Sequence, residues 1–316
     1  MKALQFNEYG PASVLRVAAA PEPHAGPGHI RVAVRASGVT PADWYLRSGR
    51  FRDRLPVPLP HVLGVDAAGV VDEVGEGVTG VRPGDAVFGV VDIARLGGAN
   101  AEHAVLTAWA PKPNALSWEQ AGGAAANVET ATRVLDRLGV GAGTTLLVEG
   151  AAGGVGSVAV QLAAARGATV IGTASARNHE FIAGLGATPT TYGSGLGDRV
   201  NRLARGGVDV VLDCAGSGSL PDLINLAGSA ERVVTVADLN AASYGVHLSR
   251  SGGPGADPQA VEGLAVAATL AEQGRFTVPI AGVFPLADAV AAHELSETGH
   301  ARGKIVLTAD RSFRIW

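Results

Sequence analysis

The sequence contains one cysteine and one methionine in 316 residues. A single thiol excludes any disulfide within the chain and any zinc site built on several thiolates. Cys214 stands in an apolar run and reads as a small buried hydrophobe. Charged residues make up only 17%, the formal net charge is -4, and no block of like charges occurs. The basic footprint of a nucleic-acid binder is therefore missing, and no nucleic-acid partner is expected. No run approaches the roughly 20 apolar residues that a membrane helix needs, so no membrane partner is expected either. The opening Met1-Lys2-Ala3-Leu4-Gln5-Phe6 lacks the long apolar region of a secretory signal, and cytoplasmic residence is the expectation.

What is abundant is apolar residues, at 47%, and glycine, at 44 residues. The length exceeds the size at which one hydrophobic core stops growing, so two domains are expected. Up to about residue 121 the texture is β. Ile30, Val32 and Val34 alternate with other residues as in a half-buried strand, and Pro83-Gly84-Asp85 reads as a turn. Glycines punctuate the stretch 64–89, a compact β unit. From 122 to 254 strands alternate with helices: strands at 144–148, 169–173, 208–212 and 232–236, and a helix at 155–166 that Gly167 stops. Ser175 can cap a further helix through Leu185. Such alternation implies a parallel sheet covered on both faces. After residue 255 a helix at 258–273 precedes short strand-like pieces, ending in Lys304-Ile305-Val306-Leu307. Ser251-Gly252-Gly253-Pro254-Gly255 is the best boundary signal. The fold class is α/β: a doubly wound Rossmann domain at 122–254 beside a mostly β domain at 1–121 and 255–316.

The strongest motif is Val148-Glu149-Gly150-Ala151-Ala152-Gly153-Gly154-Val155-Gly156, set between a predicted strand and a predicted helix. It fits the dinucleotide fingerprint with Ala151 in the first glycine position, then Gly153 and Gly156. Gly153 lets the backbone approach a pyrophosphate. Gly156 lets helix and strand pack closely, while the backbone N–H groups at Gly154 and Val155 open an anion-binding helix start. The end of the second strand decides the cofactor. An acidic residue there binds a ribose 2′-hydroxyl. This chain has Gly172-Thr173-Ala174-Ser175-Ala176-Arg177-Asn178, with a hydroxyl and a guanidinium able to hold a 2′-phosphate. NADPH is therefore expected rather than NADH. Ser175 can serve as helix cap and phosphate ligand together.

These residues, with the first region, resemble the medium-chain dehydrogenase/reductase superfamily. Within it the chain is similar to the zinc-independent quinone oxidoreductase (zeta-crystallin-like) and enone reductase branch. The markers run from Ser37 to Gly49, then Gly64-Val65-Asp66-Ala67-Ala68-Gly69, Pro83-Gly84-Asp85, Glu129-Thr130-Ala131, the glycine loop and Gly303-Lys304-Ile305-Val306-Leu307. The resemblance implies a GroES-like catalytic domain made from both chain ends, an inserted Rossmann domain, an interdomain cleft holding the nicotinamide, and a homodimer or tetramer. It places Ser175, Arg177 and Tyr192 around the 2′-phosphate and Thr130 near the nicotinamide. Lys304 is placed near the cofactor phosphates, or else is a surface charge. Zinc-dependent members carry Cys where this chain has Thr40 and His-Glu where it has Val65-Asp66, so no metal is expected; His61 and His103 are the nearest stray candidates.

The resemblance further implies reduction of a quinone or an α,β-unsaturated carbonyl, an enoyl thioester included. Tyr45 either donates to the developing oxyanion or is a structural aromatic. Thr40, where many relatives carry Asn, and Asn127 are the other catalytic candidates. Asp43 either orients neighbours or caps a loop. Phe51 stands where some enoyl reductases carry Tyr. Loops at 45–60, 92–100 and 238–256 set substrate size. The alternative is a non-catalytic NADPH-binding redox sensor, or an RNA-binding relative of zeta-crystallin, against which the missing basic patch counts.

Overall fold

The computed structural model describes residues 1–53, 55–252 and 255–309 of the chain. Two compact units form, one from residues 1–126 together with the chain from 264 onward, the other from residues 127–263.

The first unit joins both chain ends. Its seven-stranded sheet runs Ile280–Pro285, Lys304–Thr308, Ile30–Val39, Asp66–Val74, Ala86–Val90 and Ala108–Pro111, with His103–Leu106 also paired to Ile30–Val39. The join is antiparallel, with Ile305 opposite Val39 and Leu307 opposite Ser37. The expected alternation holds, since Ile30, Val32 and Val34 are buried while Arg31, Ala33 and Arg35 are half-buried. Their side chains meet Val71, Val87 and Leu106 in an apolar core. The turn at Pro83-Gly84-Asp85 forms as read: Gly84 has φ 97°, and the Asp85 carboxylate accepts from the N–H of Arg82. A second core gathers Leu4, Phe6, Val39, Leu286, Ala289 and Ile305. Part of it comes from the helix Ala289–Glu297, which the sequence reading did not include.

The second unit is a six-stranded, all-parallel sheet in the order Thr188–Thr190, Thr169–Thr173, Thr145–Glu149, Val210–Asp213, Val233–Thr235, His247–Leu248. The chain leaves from the middle strand in both directions, the doubly wound topology expected of alternating strands and helices. Leu147, Ile171 and Val211 from the sheet are buried with Val200, Leu220 and Leu223 from the helices.

The divisions fall later than the sequence placed them. The chain crosses between units at 126/127 and 263/264 rather than at 121/122 and 254/255. The segment after 255 is bonded back to the second unit: Asp257 accepts from Ser249, and the N–H of Ala260 donates to Glu129. The same bonds shorten the expected helix at 258–273, which starts only at Gly263 and ends at Glu272. Of the boundary signal, Gly253 and Pro254 lie outside the described residues. The helix expected from Ser175 through Leu185 is instead a 3₁₀ turn, Ala176–Asn178, followed by the helix His179–Gly184. Ser175 makes no capping bond, because its hydroxyl accepts from the Asn178 amide.

Candidate functional site

The glycine loop connects the strand Thr145–Glu149 to the helix Gly154–Ala165, whose N-cap is Gly153. Gly150, with φ 75°, makes the sharp turn, so the left-handed conformation belongs to Gly150 rather than to the fingerprint's first position, Ala151. Ala151 is buried instead, with its methyl against Gly172, and its N–H donates to the carbonyl of Thr173. A Cβ at Gly156 would lie 2.2 Å from the Gly150 carbonyl, so only glycine permits this helix–strand approach. Nothing but the Gly150 carbonyl, at 3.4 Å, would meet a Cβ at Gly153, which leaves that side of the loop open. Beside Gly154 lies Asn127, almost fully buried, with an Nδ2 that has no hydrogen-bond partner. A buried donor left without a partner costs about 1–3 kcal/mol. Together with an open helix start, it fits a bound dinucleotide.

At the end of the neighbouring strands the register pairs Thr173 with Thr190. Ser175 and Tyr192 therefore stand at equal offsets past paired residues, and the N–H of Ala174 continues the ladder to the Thr190 carbonyl. Tyr192 is exposed. Arg177 is exposed, and among the described residues nothing bonds to it. Ser175, Arg177 and Tyr192 thus share one end of the sheet. Thr130 sits on the helix Ala125–Arg137 with its hydroxyl tied to the buried pair formed by Glu129 and Arg133. Arg133 in turn reaches Ser249 and lies 3.7 Å from Asp257.

The first unit brings the other candidates together around the helix Pro41–Arg47. Thr40 precedes it, and both its N–H and its hydroxyl donate to Asp43 Oδ2, at 2.7 and 2.8 Å. Asp43 Oδ1 accepts from the N–H of Gly64, which ties two of the sequence markers to one carboxylate. Both roles open to Asp43 are present: its carboxylate caps the helix start at Thr40 and orients the Thr40 hydroxyl and the Gly64 N–H. Burial pushes the Asp43 carboxyl up, against the pull of these donors and of Lys304. Tyr45 is half-buried, with Phe51 at its edge and the Arg50 guanidinium 4.8 Å above its ring. Among the described residues its hydroxyl has no partner.

Lys304 is not a surface charge. It is 3% exposed, and its Nζ lies 3.4 Å from the fully buried Asp66. Its ammonium is committed to Asp66 rather than open to a phosphate. Gly38 makes room, since a Cβ there would lie 2.3 Å from Asp66 and 2.4 Å from Lys304. Burial pushes the Asp66 carboxyl up, opposed first by Lys304 and then by the N–H of Ala126. His61 bonds the Leu96 carbonyl and His103 lies 3.3 Å from Asp72. Among the described residues no group of three metal-capable side chains gathers.

Sequence reasoning passed over Glu149, at the end of the first Rossmann strand. Its carboxyl is buried beside the loop and accepts from Ser217 and Ser219, and burial raises its pKa. Its place inside the fingerprint was the available signal. Cys214 is half-buried, and desolvation pushes its thiol well up, which keeps it protonated and inert.

Comparison with known proteins bears out the expected fold class and family. Residues 26–133 match the alcohol dehydrogenase GroES-like domain, and residues 185–307 match a family described as zinc-binding dehydrogenase. The chloroplast envelope quinone oxidoreductase homolog of Arabidopsis thaliana is 32% identical, over 97% of this chain and 98% of that protein. The human synaptic vesicle membrane protein VAT-1 homolog is 38% identical over 70% of this chain, a match that spans only 56% of the longer relative. Among solved structures, the quinone oxidoreductase from Coxiella burnetii superposes with a TM-score of 0.81 at 30% identity, covering 98% of this chain and 99% of the other.

Proposed function

Because the chain belongs to the medium-chain dehydrogenase/reductase superfamily, in its quinone oxidoreductase branch, we propose that it is an NADPH-dependent, zinc-independent reductase of quinones or α,β-unsaturated carbonyls. The observation that carries the cofactor choice is the exposed Arg177 guanidinium past the end of the second strand, without a bonding partner among the described residues, at the same end of the sheet as Ser175 and Tyr192 and with no carboxylate in 172–178. A 2′-phosphate offers that cation the charge-assisted partner it lacks.

Bound NADPH supplies a hydride. The chain's own residues orient both reactants and stabilise the charge that collects on the substrate oxygen. Asn127 Nδ2, orphaned beside Gly154, donates to the dinucleotide. Tyr45 holds a phenol free to donate to the oxyanion. Thr40, its proton already given to Asp43, is an acceptor while that carboxyl is ionised. The zinc-independent reading rests on Thr40 where zinc-dependent relatives carry Cys, on Val65-Asp66 where they carry His-Glu, and on the commitment of Asp66 to Lys304. Among the described residues no further strand pairs with His247–Leu248 at the sheet edge, and Leu239 and Tyr244 are exposed, which suits pairing with a second copy.

The test is turnover, followed as loss of reduced-nicotinamide absorbance, on a panel of quinones, enals, enones and enoyl thioesters with NADPH and with NADH, before and after dialysis against a chelator. NADPH-selective turnover that survives chelation supports the reading. Preference for NADH overturns the role given to Arg177, and loss of activity on chelation overturns the metal-free reading.

A further inference from the structure

The Tyr192 loop has an anchor that the sequence motifs do not include. Arg199, on the helix Leu196–Leu203, turns its guanidinium back onto four consecutive carbonyls. Nε and Nη2 donate to the Thr191 carbonyl at 3.1 and 2.8 Å, and Nη1 donates to that of Ser194 at 2.7 Å. Nη2 is also shared with the carbonyls of Tyr192 and Gly193, at 3.3 and 3.2 Å. Among the described residues no carboxylate pairs with this guanidinium, so its charge is met only by carbonyl dipoles. The loop it grips would otherwise be loose, because Gly193 and Gly195 both hold positive φ, 81° and 74°.

In a trans peptide the carbonyl and the following N–H point in opposite directions. With the carbonyls of Thr191, Tyr192 and Gly193 turned to the guanidinium, the N–H groups of Tyr192, Gly193 and Ser194 face away from it. Because the carbonyls converge on one cation, these N–H groups splay apart on the outer side of the loop. The same loop carries the exposed Tyr192, in register with Ser175 on the adjoining strand.

We propose that Arg199 is a positioning residue for cofactor selection: its fork holds the Thr191–Ser194 loop so that the exposed Tyr192, in register with Ser175, is presented to the 2′-phosphate end of the dinucleotide. The inference rests on the NADPH reading above. Arg199 does not touch the phosphate; it acts through the loop. Lysine at this position keeps the charge but cannot bond several carbonyls in one plane.

The experiment compares wild-type protein, Arg199→Lys and Arg199→Met. Calorimetry measures the binding of 2′,5′-ADP and of 5′-AMP, which needs no turnover, and KM and kcat for NADPH and NADH are measured with one quinone acceptor. Both variants should bind 2′,5′-ADP about tenfold or more weakly, with 5′-AMP binding and kcat changed less than about twofold. Recovery of wild-type selectivity by Arg199→Lys overturns the proposal in favour of bare charge. Equal weakening of both nucleotides overturns it in favour of a general structural role, as does unchanged binding. A wild-type protein that binds 2′,5′-ADP no better than 5′-AMP overturns the NADPH reading itself, which the variants alone do not.

Discussion

A hydroxyl and a guanidinium without a partner among the described residues end the second Rossmann strand, and a carboxylate at the same place would repel a 2′-phosphate. Ser175→Asp is therefore expected to raise KM for NADPH by about tenfold or more while lowering that for NADH, since a like charge replaces a donor. Initial rates with the two cofactors check it, and an unchanged ratio would show that the phosphate lies elsewhere. Buried charge makes the second residue-scale prediction. Removing one member of the Asp66–Lys304 pair leaves the other uncompensated at 0% or 3% exposure. Asp66→Asn or Lys304→Met should each cost about 3–5 kcal/mol, whereas the double variant recovers most of the loss. Thermal unfolding of the three variants checks this. At this scale the glycine loop was legible because close backbone approach demands glycine at particular positions. The partner of Lys304 was not, because it lies 238 residues away in sequence and no local pattern encodes it.

Among the elements, the strand at 169–173 was read residue for residue, since a short apolar run closed by Gly167 before it and Ser175 after it has few alternatives. The helix predicted at 258–273 failed at its start for a tertiary reason. Asp257 and the N–H of Ala260 are drawn to the helix Ala125–Arg137, where they meet Arg133, Arg137 and Glu129. Burial alone would raise the Asp257 carboxyl, yet bonds from Ser249 and His247 hold it below the usual range. That network fastens the segment 255–263 to the second unit. Asp257→Ala should cost about 1–3 kcal/mol and expose the segment to proteases. Limited proteolysis with mass mapping is the check: faster cleavage within 250–262 is expected, and unchanged cleavage would mean that the segment is held by its apolar contacts instead. The helix Ala289–Glu297 was missed because its buried face includes histidine and serine, which blur the apolar period.

For the whole molecule, the two chain ends close one sheet, and the missed helix bears on how that closure responds to acid. Glu297 on it pairs with Arg47 of the helix Pro41–Arg47, so the helix that carries Tyr45 is anchored from the C-terminal part of the chain. One turn away His293 is fully buried with both ring nitrogens unpartnered. Burial, reinforced by the Arg47 guanidinium, lowers its pKa from 6.5 to about 3. Between those values the unfolded chain binds a proton that the folded chain refuses. Stability fully present above pH 6.5 is therefore lost as pH falls toward 3, by up to about 1.4 kcal/mol per unit. Asp43 and Asp66 act the other way. Their folded pKa values are raised, so their contribution falls as pH rises above the ordinary 3.8. A wild-type curve alone mixes the two trends, but the difference between wild type and His293→Leu cancels the carboxylates. Leucine removes two unsatisfied nitrogens, so the variant should be no less stable at pH 7. By pH 5 the wild type should have lost about 2 kcal/mol relative to it. Urea unfolding from pH 7 to pH 5 measures that difference directly. Parallel curves would mean that His293 is protonated in the folded protein and that a partner stabilises its charge.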